Sequence, residues 1–427
     1  MMKTSMKVLP LLVLSAMSGS AFAAGFQLAN QNGAGTATSY AGEAAAAEDA
    51  STIYFNPAGM TYLSEGHNVS VGGTAIVRSV KFSDTGTTSL TRSPGNIVMA
   101  AIGGNGGDGG GVKLVPFGFW SYSLSKDLRI GVGVSPTFGN ETEYNENFAG
   151  RFSGRYTSIH QININPSIAY RLNEKVSLGF GVNYASNEVE FWQSVPVGVN
   201  AERKATLKGD DHAWGWNAGA IFQVTPATRI GLSYRSKIKF KLEGTQEIQG
   251  VSNTPVRAQL ETPDNFSLAL HHRLNDRWEV LADATWTGWS SIPQLLAVNA
   301  NTGATAALLN YNFKDAWRVG LGAKYQLNNA WNLRAGIAFD KSPVPDDASR
   351  TMTVPDSDRT WLSFGARWKL DQKSSLDLGY AHIFFKDSST ARAVTIPLGG
   401  SVVASQTVRG DFKTSADLFS VQYNVSF

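Results

Sequence analysis

The last nine residues, Phe419-Ser420-Val421-Gln422-Tyr423-Asn424-Val425-Ser426-Phe427, place an apolar side chain at every second position. One face is Phe, Val, Tyr, Val, Phe and the other Ser, Gln, Asn, Ser, the period-two signature of a strand with one greasy and one wet side. The same contrast recurs at 176–184, 317–326 and 331–340, where the apolar faces begin or end in Trp or Tyr. The opposite faces carry Arg318, Lys324, Arg334, Asp340 and several glycines. Beyond the N-terminus no run reaches the roughly 18 apolar residues that a membrane-crossing helix needs. A chain of such strands either packs sheet on sheet in water or closes into a barrel, the one β architecture that satisfies its backbone groups in lipid.

The connections decide between the two. Tight polar turns stand at 125–127, 173–175, 225–227, 275–277, 328–329 and 371–373. Longer segments lie between them near 81–111, 138–156, 195–210, 244–256, 291–311, 343–357 and 387–410. Short turns at one end, long loops at the other and a terminal aromatic, Phe427, are the pattern of a bacterial outer-membrane barrel. Counting between the turns gives about fourteen strands, an even number as such barrels require. Residues 1–23 read as a signal peptide: Lys3 and Lys7, a short apolar core at 8–17, and the Ala21-Phe22-Ala23 cleavage site. The fold class is therefore all-β, a 14-stranded antiparallel transmembrane barrel over 67–427. Residues 24–66 are rich in Gly and Ala, lack alternation and contain Asn56-Pro57-Ala58. They read as a small hatch seated in the lumen.

The chain has 37 Lys+Arg against 34 Asp+Glu and no Cys. That balance speaks against a nucleic-acid partner, and the absence of thiols against disulfides and thiolate metal sites. The six His have no metalloprotease spacing and adjoin no nucleophile motif, so neither enzyme activity nor a catalytic residue, metal or cofactor is expected. The glycine run at 103–111 lacks the Lys-Ser/Thr of a phosphate loop and reads as a flexible extracellular segment. The acidic stretch at 140–147 does not match a calcium loop.

At this point the sequence resembles the FadL-type outer-membrane transporters of long-chain fatty acids and other hydrophobic compounds. The resemblance rests on Ala24-Gly25-Phe26-Gln27-Leu28, Tyr40-Ala41-Gly42-Glu43, Glu48-Asp49-Ala50 and Asn56-Pro57-Ala58, in that order ahead of the strands. It implies a hatch involving Phe26, Asn56, Pro57 and Ala58, a hydrophobic ligand site in the barrel, and an inward kink in the third strand through which cargo leaves sideways into the membrane. Simple hairpin pairing about the turn at Lys126 sets Pro116 opposite Pro136. Two prolines at one height weaken a ladder, and Gly139 after Thr137 and Phe138 permits a kink, so Pro116, Pro136, Thr137, Phe138 and Gly139 are candidates for a lateral opening. The plainer alternative is a strand that ends at Pro136.

Arg235, Lys237, Lys239 and Lys241 alternate with Tyr234, Ile238 and Phe240, which points the charges into the lumen. They are either a carboxylate-binding ladder or an ordinary charged lumen wall, and the second reading is favoured. The expected function is passive uptake of long-chain fatty acids by a monomer among outer-membrane lipid and lipopolysaccharide. Monoaromatic hydrocarbons are the alternative cargo, a general diffusion porin a less favoured one. The exposed loops leave room for an adhesin or phage-receptor role.

Overall fold

The computed structural model describes residues 25–399 and 401–427; the expected signal peptide lies outside the described residues. Fourteen antiparallel strands among the described residues form one closed barrel. They are β1 (His67–Asp84), β2 (Gly111–Ser123), β3 (Leu128–Glu143), β4 (Tyr156–Asn173), β5 (Val176–Gly198) and β6 (Ala201–Thr225). Next come β7 (Thr228–Arg235, continued by Ile238–Ile248), β8 (Ser252–Thr262 and Asn265–Arg273) and β9 (Trp278–Thr287 and Gln294–Asn299). The circuit ends with β10 (Thr305–Asn310 and Ala316–Gln326), β11 (Trp331–Asp340), β12 (Arg359–Lys369), β13 (Ser374–Phe385, continued by Ser388–Gly399) and β14 (Val402–Ser426). β14 pairs back onto β1 from Asn68↔Ser426 to Asp84↔Gly410, which leaves no free edge at the seam.

Alternation decides which side meets lipid. On β11 Leu333, Ile337 and Phe339 are exposed, while Arg334, Gly336, Ala338 and Asp340 are buried in the lumen. Aromatic side chains mark the lower border of this belt, where Trp331 stacks on Trp368 at 5.5 Å and Trp278 lies 4.7 Å from Tyr325. At the upper border Tyr184 meets Trp214, and Trp216 meets Tyr234. Amphipathic aromatic rings favour such positions between hydrocarbon and water.

Above the belt the faces exchange character. On β5 the exposed apolar residues are Leu178 and Phe180, but from Ala185 upward the buried face turns mostly apolar (Ala185, Val189, Phe191, with Asn187 bonded to Gln161 between them) and Glu188 points out. On β7 the switch is made by a shift of parity. Gly231, Ser233 and Arg235 point inward, then both Arg235 and Ser236 are buried, and beyond them Ile238, Phe240 and Leu242 point inward. Ser236 is fixed there by backbone and side-chain hydrogen bonds of 2.9 Å with the main chain of Trp216. The rule is the same on both strands: apolar toward lipid below, apolar toward the lumen where water bathes the outside.

Four of the segments expected as outer loops are instead strand. The ladders continue to Gly198↔Ala201, Ile248↔Ser252, Val298↔Thr305 and Gly399↔Val402, so they rise as paired ribbons with short tips. The glycine run is not a free loop either. Gly104 N donates to Asn147 O and Gly104 O accepts from Ala149 N, and a Cβ on Gly110 would lie 2.1 Å from the carbonyl oxygen of Arg78.

Candidate functional site

Residues 25–62 fill the lumen as four short helical turns. These are α1 (Gly33–Thr36), α2 (Glu43–Ala46), α3 (Thr52–Phe55) and a 3₁₀ turn at Pro57–Tyr62. Asn32 caps α1 by accepting the Gly35 N–H at 2.8 Å. None of these turns would persist alone, since one turn does not offset the cost of nucleation. The wall holds them.

Glycines on the inner wall make room for this backbone. A Cβ on Gly179 would sit 2.2 Å from Ala58 N, on Gly231 2.0 Å from Ala44 O, and on Gly336 2.1 Å from Thr38 O. Asn56 ties the hatch to two strands at once. Its Nδ2 donates to Ala44 O at 2.7 Å, Ala220 O at 3.1 Å and Leu232 O at 3.2 Å, while its Oδ1 accepts from Ala58 N. Pro57 opens the 3₁₀ turn, where its missing N–H leaves no orphan donor. In Asn56→Ala three buried acceptors and one donor lose their partner, at about 1–3 kcal/mol for an unsatisfied group. The expected outcome is faster proteolysis of residues 40–60 with the barrel still folded, read by limited proteolysis on heat-modifiable gel bands.

Charge fixes the lower edge. Glu48 pairs with Lys324, with Arg334 at 2.6 Å and with Arg367 at 3.2 Å, and Asp49 pairs with Arg367 at 3.1 Å. Asp377 on β13 completes the cluster with Arg367 at 2.6 Å. Buried pairs of this kind add little net stability but select one orientation of the plug, because a misplaced plug leaves charges unpaired.

A small cavity of about 100 Å³ separates the hatch from β7–β10, lined by Glu43, Arg235, Asp283 and Arg318. Glu43 accepts from Asn32 Nδ2 at 2.9 Å. Burial, aided by repulsion from Asp49, pushes its carboxyl up to about 7 from 4.5. The docked hatch thus keeps a proton that the free segment releases, so this contribution to docking is full below pH 4.5 and lost by about pH 7. Hydrogen-exchange protection of the hatch should fall across that window, and Glu43→Gln should flatten the profile.

The wall is broken between β2 and β3. Their ladder runs from Ser123↔Arg129 up to Gly118↔Val134 and stops. Above it β2 stays with β1, with Gly73↔Pro116, and β3 stays with β4, with Pro136↔Ile162 and Phe138↔Gln161 around an unpaired Thr137. Pro116 therefore stands on one lip of the gap and Pro136 on the other, and the two do not pair. An open edge in lipid is costly, and here the hatch covers it. Leu28 N donates to Thr137 O at 2.9 Å, Gly139 N to Phe26 O at 2.8 Å, and Gln31 Nε2 to Pro136 O at 2.6 Å. Residues 135–140 are all buried, drawn into the lumen.

Above the hatch the lumen is apolar. Phe26 lies 5.0 Å from Trp289 and 6.1 Å from Phe138, and Trp289 lies 5.8 Å from Phe313, each pair edge to face. Ile238, Phe240, Leu242, Ile292, Leu295 and Val354 extend this cluster. A second cluster, with Leu28, Ile76, Val115 and Trp361, begins on the other side of the Phe26–Leu28 segment, next to the gap.

The basic ladder is divided by the parity shift. Arg235 points inward, but it stacks 4.5 Å from the Tyr54 ring and donates to Tyr54 O at 2.9 Å, so it holds the hatch. Lys237 and Lys239 point outward, contrary to their expected place in the lumen, and pair with Glu261 at 2.9 and 3.3 Å. A buried cation that sequence reasoning passed over is Arg359. Its Nη2 donates to Asp356 at 2.5 Å, its Nε lies 3.6 Å from Asp340 and its guanidinium lies 4.9 Å over Phe385, while its Nη1 has no hydrogen-bond partner among the described residues. Asp356 also accepts the Gly25 N–H at 3.2 Å, which sets Arg359 close to where the hatch enters the apolar chamber. Nothing local in the sequence distinguishes Arg359 from other strand arginines.

A closed barrel with a lipid-facing belt, a lumen plugged by its own N-terminal segment and an apolar chamber above the plug defines an outer-membrane transporter of hydrophobic compounds. The chain belongs to the outer membrane protein transport protein family (OMPP1/FadL/TodX), whose model matches residues 14–427. It is 30% identical over 407 residues to a long-chain fatty acid transport protein of Escherichia coli O6:H1, covering 86% of this chain and 88% of that one. It is 31% identical over 448 residues to outer membrane protein P1 of Haemophilus influenzae, covering 96% of each. A Pseudomonas aeruginosa FadL homologue has the same fold at TM-score 0.84 and 24% identity, over 95% of this chain and 100% of that one. The toluene transporter TbuX of Ralstonia pickettii matches at TM-score 0.65 and 19% identity, over 93% and 98%.

Proposed function

We propose that the protein takes up long-chain fatty acids by passive diffusion, as a monomer seated among outer-membrane lipid and lipopolysaccharide, and releases them sideways through the gap between β2 and β3. The observation that carries this reading is the continuity of the apolar chamber with the gap, since Phe138 belongs to both. A long acyl chain gains roughly 0.8 kcal/mol for each CH₂ removed from water. An exit into periplasmic water would surrender that gain, whereas an exit into hydrocarbon keeps it. Arg359 is ion-paired with Asp356 and Asp340, and its remaining Nη1 donor beside the chamber supports a cargo with a hydrogen-bonding head group over a purely hydrocarbon one. Monoaromatic hydrocarbons are the second reading, favoured by the apolar character of the Phe26–Trp289–Phe313 cluster.

The test compares uptake of labelled oleate and toluene by a deletion strain carrying the wild-type chain or Arg359→Gln. Oleate uptake is expected to depend on the protein and to fall about tenfold in the variant, the equivalent of one charged hydrogen bond. Toluene uptake should not change. Transport of neither cargo would overturn the proposal, and transport of toluene alone would replace it with the second reading.

A further inference from the structure

We propose that the Lys113–Glu141 ion pair is a crossbar that limits the height of the gap and with it the girth of cargo that passes; this rests on the lateral exit proposed above. The gap has a firm floor and a firm top. Its floor is the last rung, Gly118↔Val134. Its top is the glycine run, where Gly109 N donates to Val80 O at 2.8 Å and Glu143 N to Gly109 O at 3.2 Å, rejoining β3 to β1 where β2 has ended.

Between floor and top, no backbone rung joins β2 to β3 among the described residues. One ion pair joins β2 to β3 across the space: Lys113 Nζ of β2 lies 2.5 Å from Glu141 Oε1 of β3, both half-buried. Arg78 of β1 secures the same stretch of β3 by donating to Glu141 O at 2.5 Å and to Thr142 Oγ1 at 2.7 Å. Lys113 stands five residues above the floor, so the opening beneath the pair spans about 17 Å of strand. Without the pair the next tie is Arg78, opposite Gly111 on β2 and bound to Glu141 and Thr142 on β3, so the opening would rise by two residues, about 7 Å, and its lips would be held on one side only.

The chemistry of the tie matters. A backbone ladder here would seal the wall. A single ion pair near the outer surface contributes little net stability and can open and reform. It holds the lips at one separation for a slender chain and yields only when both charges find water. The opening below it is flanked by Leu114 and Pro116 on one lip and by Pro136 and Phe138 on the other, which suits an alkyl chain.

The chain has no native cysteine, so spin labels at Val112→Cys and Glu143→Cys report the width of the gap directly. Three backgrounds are compared in liposomes: Lys113→Gln, Glu141→Gln, and the exchange Lys113→Glu with Glu141→Lys. Each single variant should lengthen and broaden the label distance and raise several-fold the flux of a sterol-sized hydrophobe relative to oleate. The exchange should restore both. Unchanged distances, or unchanged selectivity with a widened gap, would overturn the crossbar. Gly139→Arg in the same assay separates the two ideas. If it blocks oleate while the single variants keep wild-type selectivity, the crossbar alone is wrong; if oleate passes unhindered, the lateral exit falls and the crossbar with it.

Discussion

Gly139→Arg is expected to lower oleate uptake about a hundredfold while the barrel folds normally. Gly139 lies on the inward-drawn part of β3, opposite His160, with its N–H donated to Phe26 O at 2.8 Å. A guanidinium there would stand in the path from the apolar chamber to the membrane. A charged group forced against hydrocarbon costs about 2.5–3.5 kcal/mol, which corresponds to roughly two orders of magnitude in flux. Gly139 is a rung of the β3–β4 ladder, but a side chain there leaves the backbone pairing with His160 in place, so the heat-modifiable mobility of the folded form should be retained. Initial rates of labelled oleate uptake check the prediction, and wild-type rates would remove the side exit from the account.

The second large effect concerns the plug. In Gly179→Val and in Gly231→Val the added side chain would collide with hatch backbone, at 2.2 Å from Ala58 N and 2.0 Å from Ala44 O. A contact so short cannot be relieved by rotating a side chain, because main chain is struck. The hatch must move away. Planar bilayers containing wild-type protein should show no steady ionic current, and those containing either variant should show porin-like conductance. Steady current through the wild type would instead mean that the lumen is open to water and that the plug does not seal it.

The barrel was legible because lipid imposes a simple demand on one face of each strand. The alternation at 331–340 and 419–427 predicted the inside and outside of β11 and β14 correctly. Two kinds of information were not local. The first is the shift at Ser236. Apolar residues stand at even positions from Ile230 to Leu242 with Ser236 the one break, and a single serine in a strand does not announce that the face turns inward there, so Lys237 and Lys239 lie on the opposite side from the one simple alternation predicts. On β5 a mark does exist: even apolar positions up to Tyr184 give way to odd ones from Ala185. The second is partnership across the lumen. Glu48 and Arg334 are separated by 286 positions, and no spacing rule links a hatch carboxylate to a strand near the far end of the chain. The outer ribbons read as loops because water outside and mixed contacts inside remove the contrast that marks a lipid-facing strand.

The exchange of apolar faces above the belt acts as a waterline. Raising the bilayer past it would bring Glu188, Lys237 and Lys239 into hydrocarbon. A buried basic residue costs up to about 2–4 kcal/mol at mid-bilayer and less near its borders. Lowering the bilayer would strip lipid from Leu178 and Phe180. The barrel is therefore moored at one depth, and a membrane of different thickness must stretch or thin around it rather than let it slide.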